Sequence, residues 1–79
     1  MDFAKTKKEW AERAARFVKA ELKRANMTYD ELAERLKEHG FNETKASIAN
    51  KLARATVSAA FLLAVVAVLG LTGIDLEDL

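Results

Sequence analysis

The chain contains no cysteine and no proline, and Gly40, Gly70 and Gly73 are its only glycines in 79 residues. Without cysteine it can build neither a disulfide scaffold nor a thiolate metal site, and cysteine usage leaves the redox compartment open. Without proline, and with so little glycine, helices are interrupted only by capping residues and short turns. One histidine, His39, stands far from any nucleophile–carboxylate set, and no glycine-rich phosphate loop or metal-ligand spacing occurs. The sequence therefore offers no foothold for catalysis, and no enzyme activity, cofactor, metal or small-molecule substrate is expected. The basic start, Phe3 to Lys8, is not followed by an apolar core and a small-residue cleavage site. No secretory signal is expected on that ground, and the cytoplasm is the expected location.

What is present favours helix. Residues are 51% hydrophobic and 32% charged, dominated by Ala, Leu, Lys, Glu and Arg, which suits one small folded domain over 1–79. Net charge is only +1, but it is unevenly spread. Residues 1–54 hold all thirteen basic groups against nine acidic ones, while residues 55–79 hold three acidic groups and no basic one. A polyanion-binding face joined to a separate packing segment would produce this asymmetry.

Punctuation and periodicity predict an all-α fold of four helices, at about 6–25, 28–39, 43–55 and 58–69, with 71–79 as a tail. Thr6 and Glu9 match a capping box, as do Thr28 and Glu31. Trp10, Ala14, Phe17, Val18 and Leu22 form one apolar face of an extended first helix. Asn26 is its expected stop. Tyr29, Leu32, Ala33 and Leu36 mark the buried side of the second helix, with Gly40 as its C-terminal cap. Asn42 or Thr44 caps the third, whose Ile48 and Leu52 turn inward, with Ala49 and Ala55 as further inward positions. The fourth, capped by Thr56 or Ser58, is apolar on every side and should be buried all round, in a core, an oligomer interface or a bilayer.

A short helix, a glycine-containing turn and a more basic helix in sequence is the grammar of a helix-turn-helix. Thr28, Glu31, Leu32, Ala33, Leu36, Ile48 and the Val68-Leu69-Gly70 ending resemble the capping, core and closing positions of phage-repressor-like (Cro/C1-type) domains. Eleven residues separate Leu36 from Ile48, more than that pattern allows, so a longer second helix or turn is expected. The chain also resembles a family of short bacterial helix-turn-helix-like proteins of unknown function. The resemblance rests on Trp10, Lys19-Ala20-Glu21-Leu22-Lys23-Arg24, Thr28-Tyr29, Leu32-Ala33, Leu36, Gly40 and Glu43-Thr44, and continues through Asn50-Lys51, Arg54 and Ser58-Ala59-Ala60-Phe61. Where that family has a glycine and a basic residue after Arg54, this chain has Ala55-Thr56. The resemblance implies a fold and no established activity.

These readings give a small DNA-binding protein, a transcriptional regulator whose third helix enters the major groove of double-stranded DNA. Lys45, Ser47, Asn50, Lys51 and Arg54 are its expected DNA contacts: asparagine suits adenine, arginine suits guanine, and lysine anchors phosphate. The same side chains would also make an ordinary solvated helix face. The basic groups of helix one suit either phosphate contacts or solvated pairs such as Glu9–Arg13 and Glu12–Arg16. Trp10 and the all-apolar fourth helix exceed what one small chain hides, so a homodimer is expected. Two alternatives compete: a protein-interaction module on the same helices, and a membrane-anchored protein with the uncharged residues 55–74 in the bilayer.

Overall fold

A computed structural model describes residues 3–79. The expected single domain also takes in Met1 and Asp2, which lie outside the described residues. Among the described residues there are four α-helices: α1 (Lys7–Arg24), α2 (Tyr29–Leu36), α3 (Lys45–Arg54) and α4 (Ala59–Val68). A 3₁₀ turn, Lys37–His39, prolongs α2, and another, Leu76–Asp78, lies in the tail. No strand occurs among the described residues, as expected for an all-α chain.

Each helix starts on a hydroxyl. Thr6, Thr28, Thr44 and Ser58 hold extended backbone angles, and their side chains accept from the amides three residues on. The Thr28–Glu31 box is reciprocal, at 3.1 and 3.2 Å. In the first helix the box is offset: Thr6 accepts from Glu9, but the Glu9 carboxylate accepts from the Lys5 amide at 2.9 Å. Thr44 forms an unexpected box with Ser47, whose hydroxyl accepts from the Thr44 amide.

The helices end alike. Met27, Phe41, Thr56 and Leu71 donate backwards to Leu22, Leu36, Lys51 and Val66, each over a residue with positive φ. These are Schellman closures, and the left-handed residues are Asn26, Gly40, Ala55 and Gly70. The expected second helix, 28–39, thus tightens after Leu36 into a 3₁₀ turn that stops at Gly40. Eight residues, 37–44, separate α2 from α3. The longer spacing seen in sequence therefore lies in the connection, against the roughly three to four residues of a tight helix-turn-helix turn.

Val18, Leu32, Leu36, Ile48, Phe61 and Val65 are the largest fully buried side chains and come from all four helices. α1 packs on α3 and α4, and α2 packs on the same two. Two expectations need correction. Trp10 is 37% exposed, because it sits in the first turns of α1 and stacks on Phe3, with ring centroids 6.1 Å apart. The fourth helix is not buried all round within the core of this chain: Phe61, Ala64 and Val65 face the core, while Ala59, Ala60, Leu63 and Ala67 are exposed.

Candidate nucleic-acid interface

The candidate interface is built on α3, whose Ile48 and Leu52 are buried and fix which side turns outward. Residues spaced i, i+4, i+7 and i+8 share a helix face. Ala46, Asn50, Ala53 and Arg54 form such a stripe opposite the buried side, and all four are exposed. Lys45 is exposed at the first turn. No acidic residue occupies that turn, so a lysine stands where the helix dipole already places positive potential. That placement is mildly unfavourable to the helix and favourable to an anion.

Ser47 and Lys51, the other two sequence candidates, are half-buried and engaged within the chain. The Ser47 hydroxyl donates to Glu43 Oε1 at 2.7 Å and accepts from the Thr44 amide at 2.8 Å. Lys51 Nζ donates to Glu43 Oε2 and lies 5.4 Å from the centroid of the Phe61 ring. Phe61 in turn meets Phe41 edge-on at 6.2 Å. Glu43 is the hub, with only 9% of its side chain exposed. Burial alone would raise its pKa. Hydrogen bonds from Lys51 and Ser47, together with the lysine charge, outweigh burial and hold the carboxyl below its ordinary range. The cluster ties the connection before α3 to the body of α3 and to α4, which fixes how α3 is presented.

The structure thus divides the five residues. Lys45, Asn50 and Arg54 are open to solvent, with no hydrogen-bond or ion-pair partner among the described residues, while Ser47 and Lys51 brace the helix. In the sequence Glu43 stands out only within the Glu43-Thr44 pair of the family resemblance, and its reach to Lys51 is not apparent from that pair. The signal lay in the spacing: Glu43, Ser47 and Lys51 follow one another at intervals of four. The alanines of the outer stripe were also overlooked, because small apolar residues carry no obvious chemistry.

Arg54 also borders an open groove of about 890 Å³ between α1 and the C-terminal end of α3. Lys7, Lys8, Arg16 and Lys19 share its rim, and Glu12 is the single acidic residue there. Ala11, Ala15, Leu52, Ala53 and Ala55 supply its apolar lining. The sequence-level pair Glu12–Arg16 does not form an ion pair.

No helix among the described residues is long and apolar enough to cross a membrane. α4 has ten residues, about 15 Å at ~1.5 Å per residue, against a hydrocarbon core of ~30 Å. The uncharged stretch 55–74 is broken by the turn at Gly70.

No curated protein and no solved structure matches the chain. One family model does, over residues 10–74, a span that opens at Trp10 and takes in most of α1 and all of α2, α3 and α4. With well over half of its length matched, the chain belongs to the family described as domain of unknown function DUF6471.

Proposed function

We propose that this protein is a small DNA-binding regulator that presents the outer stripe of α3 to the major groove of double-stranded DNA. In this reading α2 and α3 act as a repressor-like helix-turn-helix pair with a lengthened connection. The observation that carries it is the exposed Ala46–Asn50–Ala53–Arg54 stripe beside Lys45, on a helix held in place by its own cap and by the Glu43 cluster. Asn50 offers the paired donor and acceptor that match adenine, and Arg54 offers the fork that matches guanine. Alanine methyls permit close approach and contact with thymine methyl groups. Lys45 and the cationic edge of α1 add charge of the sign that a phosphate backbone attracts. The chain acts as a homodimer in this proposal. The support is the uncharged outward side of α4, where Leu63 is 67% exposed between Ala60 and Ala67.

A selection from random duplex oligonucleotides, followed by fluorescence anisotropy, tests the proposal. Asn50→Ala and Arg54→Ala should each cost about 1–3 kcal/mol on the selected site and relax its sequence preference. Lys51→Ala should leave base preference unchanged, because Lys51 acts through Glu43. No enriched motif, together with unchanged duplex affinity in all three variants, would overturn the reading in favour of a protein-interaction module.

A further inference from the structure

We propose that the groove between α1 and the C-terminal end of α3 binds an anion with an apolar body, such as a medium-chain acyl carboxylate. The inference concerns a different ligand from the DNA of the preceding section and stands whether or not α3 reads DNA. A volume of about 890 Å³ falls within the range of small-ligand sites, roughly 300–1,000 Å³. Five cations line it against one carboxylate. None of the five has a hydrogen-bond or ion-pair partner among the described residues.

Such a cluster is repulsive within itself. Lys7 and Lys8 also stand in the first turn of α1, where the dipole disfavours cations. A single anionic group placed among them relieves both terms. The lining selects further. Half-buried Ala11 and Ala55 and exposed Ala53, lying over buried Ala15 and Leu52, give an apolar bed that inorganic phosphate or a sugar-phosphate chain would leave without a match. An alkyl chain covers that bed, while its carboxylate meets Arg16, Lys19 and Arg54 at the rim. A carboxylate in that position accepts from the arginine forks, the geometry in which charge-assisted pairs are strongest.

The test is a ¹⁵N–¹H NMR titration of the whole chain with decanoate, and in parallel with 1-decanol and with acetate. Decanoate should shift the amides of Ala11, Ala15, Ala53 and Ala55 saturably, and bind at least about tenfold more tightly than either control. The double variant Arg16→Ala/Lys19→Ala replaces two exposed side chains, and its spectrum shows whether the fold is kept. It should weaken decanoate by about tenfold or more, while leaving 1-decanol unchanged. Ala11→Phe, which fills the bed from α1 without touching a charge, should weaken decanoate and 1-decanol alike. Equal binding of decanoate and 1-decanol would overturn the proposal, as would shifts centred on Leu63 of α4. It would also fail if the double variant left decanoate binding intact and instead flattened the salt dependence of duplex binding. The groove would then be a track for DNA phosphates.

Discussion

Lys51 and Glu43, eight residues apart in the chain, form an ion pair that joins the connection after α2 to the last turn of α3. The carboxylate is also held by Ser47, and the ammonium lies over Phe61. This arrangement makes Glu43 a structural acid with a definite pH signature. Its pKa is lowered in the folded chain, so its stabilising effect is complete above the ordinary glutamate value of ~4.3. That effect is lost as pH falls from there through the lower folded value. Glu43→Gln keeps the shape and removes the charge. The variant should be less stable at neutral pH by about 1.5–3 kcal/mol, the usual worth of hydrogen bonds to a charged group. Urea unfolding at pH 7 and at successively lower pH should show the gap closing only below the ordinary carboxylate range. A gap that is constant with pH would mean that the charge of Glu43 does not matter.

Ala55 closes α3 with φ +55° in the left-handed region, where a Cβ costs about 1–2 kcal/mol. The Thr56 amide completes the closure onto Lys51 at 2.9 Å, so the strained angle is imposed by the helix end. Glycine relieves the Cβ clash and loses part of the gain to its freer unfolded chain. Ala55→Gly should raise stability by about 0.5–1 kcal/mol, and in a domain of this size 1 kcal/mol moves Tm by roughly 4–8 °C. Ala55→Val should move Tm the other way. Thermal melts by circular dichroism decide it, and a Tm unchanged or lowered in Ala55→Gly would contradict the reading.

Much of this architecture is legible in the residues because it is written in local chemistry. Thr6, Thr28, Thr44 and Ser58 cap their helices through contacts that span three residues, and Gly40 and Gly70 stop theirs through one backbone angle. Periodicity likewise placed Phe17, Val18, Leu22, Leu32, Leu36, Ile48 and Leu52 inward, where all are buried. What was not legible depends on contacts between elements. Lys51 looks like any outward lysine until Phe61 arrives from α4 beneath it. Trp10 has the right spacing for the α1 face, but the elements that cover Phe17 and Val18 leave it partly open. The groove joins α1 to the end of α3, residues more than thirty positions apart, so no sequence window contains it.

Trp10 is the only tryptophan, which makes its surroundings measurable. Half-exposed and stacked on Phe3, it should be quenched by acrylamide well above the level of a core tryptophan. Phe3→Ala should increase that quenching further. Trp10→Ala should cost no more than about 1–2 kcal/mol, below the ~3–5 kcal/mol typical of a buried Trp or Phe truncation such as Phe61→Ala. Equal losses in the two variants, compared by urea titration, would show that Trp10 belongs to the core.

Leu63 stands on α4 with two-thirds of its surface open, between Ala60 and Ala67 on the same side of the helix. α4 contains no charged or polar residue, so nothing on that side repels another apolar surface. A large side chain flanked by two small ones is also self-complementary. When two such helices cross antiparallel, each leucine can seat against the other's alanines. Burying one leucine in this way would contribute about 1.5–3 kcal/mol, so an association through this contact would be concentration-dependent. Multi-angle light scattering should give a mass that rises from monomer toward dimer with protein concentration. Leu63→Glu places a carboxylate in the contact and should hold the chain monomeric at every concentration, while Tm measured at high dilution stays unchanged. A wild-type mass that remains monomeric throughout would remove α4 as a dimer contact, and a dimer that survives Leu63→Glu would place the contact elsewhere.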